Sequence, residues 1–217
     1  MPAEKTALLR DYVARAPVIP VVSIEDPATA VPLARALVDA GLPVVEITLR
    51  TDRALEAMRL IARNVPDAIV VAGTVIAPSQ IAEVAEAGAK AIVTPGTPPR
   101  LGEALASASL PVMPGCASVS EAMMLSDMGF SVLKFFPAAA SGGTAWLRAI
   151  SGPLPHLGFC PTGGVDASNA AEFLALPNVV CVGGSWVAPA GLIAARDVAA
   201  IGRLSAAAAR LRPPRHA

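Results

Sequence analysis

Short runs of apolar, mostly β-branched residues alternate along the chain with alanine-rich segments in which apolar positions recur at helical spacing. This alternation is typical of parallel strands joined by helices. An additional helix is predicted at 4–15, before the first strand. The pattern predicts eight strands, each followed by a helix, at 18–24, 43–50, 68–75, 91–95, 111–115, 131–136, 158–162 and 179–183.

Residues that favour helix ends stand between these strands. Aspartate and serine accept hydrogen bonds from the free N–H groups of a first helical turn, and glycine adopts the left-handed conformation that ends many helices. Helices are therefore predicted to begin near Asp26, Asp52, Ser79, Ser118 and Asp166, and to end near Gly41, Gly88 and Gly129.

Two folds accommodate this order of elements. An open doubly wound sheet usually carries a glycine-rich dinucleotide loop after its first strand, and residues 23–27 contain no glycine. A chain of 217 residues fits one barrel. We therefore expect the α/β class and a single (β/α)8 TIM barrel with an additional N-terminal helix. This domain is expected to cover residues 1–212, followed by a disordered tail at 213–217.

The second predicted strand has a polar and an apolar face. Glu46, Thr48 and Arg50 alternate with aliphatic residues, so the polar set projects from one face of the sheet. Helices cover the outside of a barrel and require apolar contacts there, which assigns the polar set to the interior. In the sixth predicted strand Lys134 shares its parity with Phe136 and is expected to point inward as well.

A buried lysine needs a charged partner or a chemical task. In one interpretation Glu46 and Lys134 form a buried ion pair with a purely structural role. In the other, burial and a neighbouring cation such as Arg50 disfavour the protonated lysine and leave a free amine that can attack a carbonyl. Glu46 would then relay the protons that imine formation requires. The residues alone leave both interpretations open.

Paired glycines follow the last two predicted strands. Gly163 and Gly164 follow the seventh, and Gly183 and Gly184, with Ser185 directly after them, follow the eighth. Glycine lets backbone N–H groups approach a phosphate closely, and barrels often bind phosphate at these two loops. Glycines also form tight turns without any ligand. Two pairs at the two expected loops favour a phosphate site.

The balance of charge excludes some classes of partner. Lys and Arg total 17, as do Asp and Glu, so no net field attracts nucleic acid or a membrane surface. No apolar run is long enough to span a bilayer, and the N-terminus lacks the apolar core of a secretory signal. We therefore expect a cytoplasmic protein that binds a small molecule.

Histidine and cysteine usage argues against a metal. The chain has two histidines, His156 and His216, and no acidic cluster with metal-ligand spacing, so we expect neither a metal nor another cofactor. Cys116, Cys160 and Cys181 lie far apart within apolar runs, which is typical of buried reduced thiols. Of the three, Cys116 is the one that could border a site.

Taken together, these segments resemble the 2-keto-3-deoxy-6-phosphogluconate (KDPG) aldolase family, some of whose members also act on 4-hydroxy-2-oxoglutarate. The resemblance covers nearly the whole chain, and the motifs are highly specific in combination. They are VEITLR at 45–50, AGTV at 72–75, TPG at 94–96, KFFPA at 134–138, CPTGG at 160–164 and GGSW at 183–186.

The resemblance implies a class I aldolase, a lyase in which Lys134 forms a Schiff base with the substrate and Glu46 is the general acid and base. It implies that Arg50 and Thr74, with Pro95, bind the carboxylate of the pyruvyl group. It also suggests a homotrimer. The residues implied to bind the phosphate and the adjoining part of the substrate are Thr162, Gly163, Gly164, Gly184, Ser185 and Phe136.

The expected reaction cleaves KDPG, a phosphorylated 2-keto sugar acid of the Entner–Doudoroff pathway, to pyruvate and glyceraldehyde 3-phosphate. The stretch PGCA at 114–117 is more similar to relatives that cleave the phosphogalactonate epimer, which is therefore an alternative substrate. Two other classes share the phosphate loops but form no imine. They are a sugar-phosphate isomerase or epimerase, and a noncatalytic phosphosugar-binding barrel.

Overall fold

The computed structural model describes residues 3–211, so the tail predicted at 213–217 and the domain end predicted at 212 lie outside the described residues. Within 3–211 the strands are β1 Val18–Val22, β2 Val44–Thr48, β3 Ile69–Gly73, β4 Ala91–Val93, β5 Val112–Met113, β6 Gly115–Cys116, β7 Val132–Phe135, β8 Gly158–Pro161 and β9 Val182–Gly184.

Helices occupy most of the segments between the strands, and one helix precedes β1. A short 3-10 helix, Pro27–Thr29, leads into the second α-helix. The α-helices are α1 Ala3–Ala14, α2 Ala30–Asp39, α3 Ala54–Asn64, α4 Gln80–Glu86, α5 Pro99–Ala106, α6 Val119–Asp127, α7 Gly143–Ser151, α8 Ala170–Leu174, α9 Ala190–Ala194 and α10 Val198–Ala209.

The strands pair in parallel, but the prediction of a closed eight-stranded TIM barrel is wrong. One sheet has six strands in the order β5-β4-β3-β2-β1-β9, and a second has three in the order β6-β7-β8. The predicted fifth strand is divided at Pro114, which has no N–H to donate to a ladder, so β5 belongs to one sheet and β6 to the other. Between β8 and the segment ending in β9, the described residues form only the isolated bridges Phe159↔Val179 and Thr162↔Gly183.

Residues from both sheets share an inner cluster of buried side chains. Val44 of β2 and Val132 of β7 belong to it, and each lies two positions before Glu46 and Lys134 on the same strand face. The alternate face of β2, with Ile47, belongs to the larger cluster that includes the helices. The predicted inward parity of the two charged residues is therefore confirmed.

The predicted additional N-terminal helix is present as α1, which contacts β5 and β7. Leu9 and Val13 belong to the inner cluster. Arg10 Nη2 lies 3.5 Å from the carbonyl oxygen of Ser131, which precedes β7. The carboxyl ends of the strands are left for the loops that carry most of the candidate site residues.

Several helix boundaries follow the predicted chemistry. Asp26 accepts from the Ala28 N–H, and Ser118 forms a reciprocal capping box with Glu121 at the start of α6. Ser79 precedes α4 without a side-chain capping bond. Asp166 accepts a hydrogen bond from the Ser168 N–H. Helix α8 begins four residues after Asp166, at Ala170. The predicted stop glycines have φ values of 91°, 89° and 86°, in the order Gly41, Gly88 and Gly129.

Among residues 3–211, the helices are too short or too polar to cross a lipid bilayer.

The two serines that precede helices provide a matched test of this capping. Ser118→Ala should lower the free energy of unfolding by about 1 kcal/mol, because it leaves the Glu121 N–H at the start of α6 without its acceptor. Ser79→Ala should change it by less than about 0.5 kcal/mol. Urea denaturation followed by circular dichroism measures both values. Equal losses in the two variants would contradict the capping account.

Candidate active site

A lysine and a glutamate meet between the two sheets. Lys134 Nζ on β7 lies 3.0 Å from Glu46 Oε1 on β2, and the two side chains are only 5% and 2% exposed. Each residue reaches the other because both project from the inner faces of their strands. Both interpretations of this pair require such a contact. It is an ion pair, and it also lets a proton pass between the amine and the carboxylate.

Gly73 makes room for the carboxylate of Glu46. It lies at the end of β3, paired in register with Thr48 of the neighbouring strand. A Cβ atom at Gly73 would overlap the Glu46 side chain. Sequence reasoning did not give Gly73 a role, although a glycine inside a buried strand is a signal of close approach by another group.

The strand next to the lysine, β6, is held against the loop after β4. Gly115 pairs in register with Lys134, and a Cβ at Gly115 would lie 2.5 Å from the carbonyl of Pro95. The Gly115 N–H donates to Thr94 Oγ1 at 2.8 Å, and Thr97 Oγ1 donates to the Gly115 carbonyl at 3.0 Å. The two hydroxyls are 2.8 Å apart. These hydrogen bonds place Pro95 beside β6, the strand that pairs with the lysine strand β7.

Thr74 has an unusual backbone conformation next to Gly73. Its φ is 59°, in the left-handed region that β-branched residues rarely adopt. Such a conformation costs roughly 1–3 kcal/mol and persists only when the surrounding structure imposes it. Strain of this kind is concentrated at functional sites, and here it falls directly beside the glycine that accommodates Glu46.

A cavity of about 740 Å³ opens at the carboxyl ends of β1, β2, β7, β8 and β9. Lys134, Glu46, Thr74 and Pro95 do not line it, but Lys134 Nζ lies 5.5 Å from the centroid of the Phe136 ring, which does. The predicted site residues in the wall of the cavity are Arg50, Phe136, Thr162, Gly163, Gly164, Gly184 and Ser185.

Positive charge and free N–H groups border the cavity. Arg50 is exposed and forms no hydrogen bond or ion pair with another described residue. The N–H groups of Gly164 and Ser185 donate to no backbone oxygen within residues 3–211. Gly164 has a φ of 75° and has no room for a Cβ beside Ala139. These groups are suited to binding anions, the guanidinium on one side and the backbone donors on the other.

Two further residues in the wall had no predicted site role. The Trp186 ring lies so close to Gly184 that a Cβ there would overlap it. Asp166 also lines the cavity, but its Oδ1 accepts from the Ser168 hydroxyl at 2.6 Å and from the Ser168 N–H at 2.8 Å. The side-chain bond with Ser168 is the main cause that lowers the Asp166 pKa. The Asp166 carboxylate therefore interacts with Ser168 of its own loop.

The cysteines are buried free thiols, as expected. Burial, with a smaller contribution from the charge of Glu121, raises the pKa of Cys116 to about 12. A hydrogen bond with Cys160 and then burial raise the pKa of Cys181. None of the three lines the cavity, and a thiol with a raised pKa is a poor nucleophile at neutral pH. Among the described residues, no group of three metal-ligating side chains occurs.

The chain is similar to aldolases along most of its length. The family model described as KDPG and KHG aldolase matches residues 9–204. The KHG/KDPG aldolase of Escherichia coli (strain K12) is 47% identical over 189 residues, which cover 87% of this chain and 89% of that protein.

Two solved structures are similar over nearly the whole length. KDPG aldolase from Legionella pneumophila, with pyruvate captured at low pH as a covalent carbinolamine intermediate, has a TM-score of 0.90 and 45% identity, covering 92% of this chain and 97% of its own. The KDPG aldolase of Zymomonas mobilis ZM4 with 3-phosphoglycerate has a TM-score of 0.89 and 42% identity, covering 96% and 98%.

Proposed function

The chain belongs to the KDPG and KHG aldolase family, and we propose that it is a class I aldolase, a lyase that cleaves KDPG to pyruvate and glyceraldehyde 3-phosphate. The observation that carries the proposal is the buried contact of 3.0 Å between Lys134 and Glu46 beside a cavity with anion-binding groups. The covalent pyruvate intermediate captured in the Legionella pneumophila relative supports imine chemistry for this pair.

The first half of the reaction attaches the substrate to the protein. The unprotonated amine of Lys134 attacks the keto carbon, and Glu46 supplies a proton to the oxygen as the carbinolamine forms. The Glu46 carboxylate then takes a proton from the attached nitrogen and passes it to that hydroxyl, which leaves as water as the cationic imine forms. A contact of 3.0 Å is within the range that direct proton transfer requires.

The second half breaks the bond between the third and fourth carbons. Glu46, now a carboxylate, accepts the proton of the hydroxyl on the fourth carbon. The oxygen becomes the aldehyde of glyceraldehyde 3-phosphate, and the electron pair of the broken bond moves toward the imine. The product on Lys134 is an enamine of pyruvate. Protonation of its terminal carbon and addition of water release pyruvate and restore the amine.

Arg50 is proposed to bind the substrate carboxylate, with Thr74 and Pro95 beside it. A guanidinium without an internal partner can hold a carboxylate through two parallel hydrogen bonds. Such a contact fixes the keto carbon relative to the amine, so that the attack becomes an oriented step within one complex. The hydrogen bonds between Thr94 and Gly115 hold the loop that carries Pro95, and the surrounding structure holds Thr74 in its left-handed conformation.

The phosphate is proposed to bind at Gly163, Gly164, Gly184 and Ser185, with Thr162 and Phe136 beside the carbons that precede it. The free N–H groups of Gly164 and Ser185 support this placement. The Zymomonas mobilis relative was solved with 3-phosphoglycerate, which like KDPG is a small phosphorylated acid. The name of the Escherichia coli relative supports 4-hydroxy-2-oxoglutarate as a second substrate, with a carboxylate in place of the phosphate.

We also propose a homotrimer in the cytoplasm. The trimer rests on the family resemblance and on exposed apolar side chains that a contact between copies would bury, at Ile76, Val119 and Met123. The three free thiols are typical of a reducing compartment. Sedimentation equilibrium measures the number of chains directly.

The charged pair provides the main test of the chemistry. Lys134→Met should abolish pyruvate release from KDPG, since no amine remains to form the imine. Glu46→Gln should lower kcat by about 100-fold or more, because it keeps the shape of the carboxylate but removes its acid–base function. A lactate dehydrogenase-coupled assay measures pyruvate. An isomerase, an epimerase or a binding protein would release none.

A double variant separates catalysis from structure. If the pair is only structural, either single variant would leave one buried charge without its partner, whereas Lys134→Met combined with Glu46→Gln would restore both stability and activity. We expect the double variant to fold and to remain inactive. Recovery of pyruvate release in it would contradict the proposed roles.

The phosphate loop can be tested by charge at a fixed position. The wild-type protein should prefer KDPG over its unphosphorylated analogue by at least about 100-fold in kcat/KM, because remote binding energy orients the reacting end. Gly164→Asp should remove most of that preference by placing a negative charge at the loop. Gly164→Ala adds bulk beside Ala139 without charge and serves as the control. If Gly164→Asp kept the full preference, the phosphate would have to bind elsewhere.

A further inference from the structure

Ser23 lies in the wall of the cavity, and it is not among the residues proposed above to bind or convert the substrate. It directly follows β1, which lies between β2 and β9 in the six-stranded sheet. Strand β2 carries Glu46 and leads to Arg50, at the carboxylate end of the proposed substrate. Strand β9 leads to Ser185, at the phosphate end. With the substrate placed as proposed, the Ser23 side chain lies beside its middle.

The hydroxyl of Ser23 belongs to a short hydrogen-bonded chain. Its Oγ lies 2.7 Å from Thr48 Oγ1, and Thr48 Oγ1 lies 3.1 Å from the carbonyl oxygen of Val22. The side chain of Thr48 is fully buried, so its hydroxyl has no access to water. These two contacts are the only hydrogen bonds of the Thr48 side chain within residues 3–211.

Counting protons fixes the direction of this chain. A carbonyl oxygen only accepts, so Thr48 must be the donor to Val22. The single hydroxyl proton of Thr48 is then used, and Ser23 must donate its own proton to Thr48. If Thr48 donated to Ser23 instead, only one of the two hydrogen bonds would form, and no group would donate to the buried Thr48 oxygen. An unmade bond in a buried site is costly, so the two-bond order is favoured.

With its proton committed to Thr48, Ser23 presents only lone pairs to the cavity. Such an oxygen can accept a hydrogen bond and is repelled by other acceptors. The carboxylate and keto groups of KDPG accept, as does its largely dianionic phosphate. The only donors on this substrate are the hydroxyls of its fourth and fifth carbons. An acceptor-only Ser23 can therefore pair with a substrate hydroxyl and with no other group of the substrate.

The two hydroxyls differ in their position. The hydroxyl of the fourth carbon lies at the bond that breaks, next to the buried Lys134 and Glu46, neither of which lines the cavity. The hydroxyl of the fifth carbon lies between that bond and the phosphate, the part of the substrate that the cavity wall surrounds. We propose that Ser23 is a specificity-determining residue that accepts a hydrogen bond from the hydroxyl of the fifth carbon, oriented for this by Thr48. The proposal rests on the aldolase function.

The reverse reaction tests the proposal because its aldehyde can be varied. Glyceraldehyde 3-phosphate brings the hydroxyl of the fifth carbon, and 3-phosphooxypropanal is the same aldehyde without it. With pyruvate as the second substrate, we measure kcat/KM for both aldehydes in the wild-type protein, Ser23→Ala and Thr48→Val. Ser23→Ala should lower the value for glyceraldehyde 3-phosphate by about 3- to 10-fold, the range expected for one neutral hydrogen bond. It should leave the value for the deoxy aldehyde nearly unchanged.

Thr48→Val supplies an independent readout of orientation. It keeps the shape of the side chain but frees the proton of Ser23, so the preference for the hydroxylated aldehyde should fall although Ser23 is intact. Unaltered rates with the deoxy aldehyde show that each variant is folded and able to react. The role of Ser23 is overturned if Ser23→Ala lowers kcat/KM equally for both aldehydes or leaves both values unchanged. The aldolase function would still stand in that case. A wild-type protein that forms no product with either aldehyde overturns both.

Discussion

The buried contact between Lys134 and Glu46 is the constraint on which the rest of the structure depends. Two opposite charges in an apolar interior are tolerated only while they remain together, since loss of either partner leaves the other charge uncompensated. The two residues come from different sheets, and no local element holds them together. Their approach is set by the strand register, by Gly73 beside the carboxylate and by the packing of the inner cluster beneath them. The same arrangement gives the amine a proton acceptor within direct reach, so stability and chemistry depend on the same contact.

The two ends of the proposed substrate meet different kinds of structure. The reacting end is associated with rigid strand positions, a closed hydrogen-bonded loop at Thr94 and the strained backbone of Thr74. The phosphate end is associated with Gly164 and Ser185, whose N–H groups donate to no backbone oxygen within residues 3–211. This division is physically reasonable, because orientation at a reacting carbon must be held within fractions of an ångström, whereas an anion can be bound by any well-placed set of donors. Ser23 lies between the two ends and contributes an acceptor where the wall otherwise offers mainly donors.

Much of this arrangement could be predicted from the sequence because it depends on local patterns. The alternation of polar and aliphatic residues along 45–50 correctly placed Glu46 on the inner face. The apolar residues around Lys134 marked it as a charged residue inside a buried strand. The closed TIM barrel was wrong, since a succession of apolar runs does not reveal where a hydrogen-bonded ladder is interrupted, as it is at Pro114. Gly73 and Ser23 were missed because their roles depend on neighbours from other strands, which only the three-dimensional structure identifies. The assignment of one domain to residues 1–212 and the individual roles of the site residues stay predictions.

The most direct test of the account is covalent trapping of the imine. The chain has three lysines, Lys5, Lys90 and Lys134, so the position of a label can be read without ambiguity. The protein is treated with pyruvate and borohydride, digested, and analysed by peptide mass spectrometry, with borohydride alone as the control. The account predicts one reduced pyruvyl group per chain, on Lys134, and none without pyruvate. Labelling confined to Lys5 or Lys90, or no labelling of a protein that still releases pyruvate from KDPG, would contradict it.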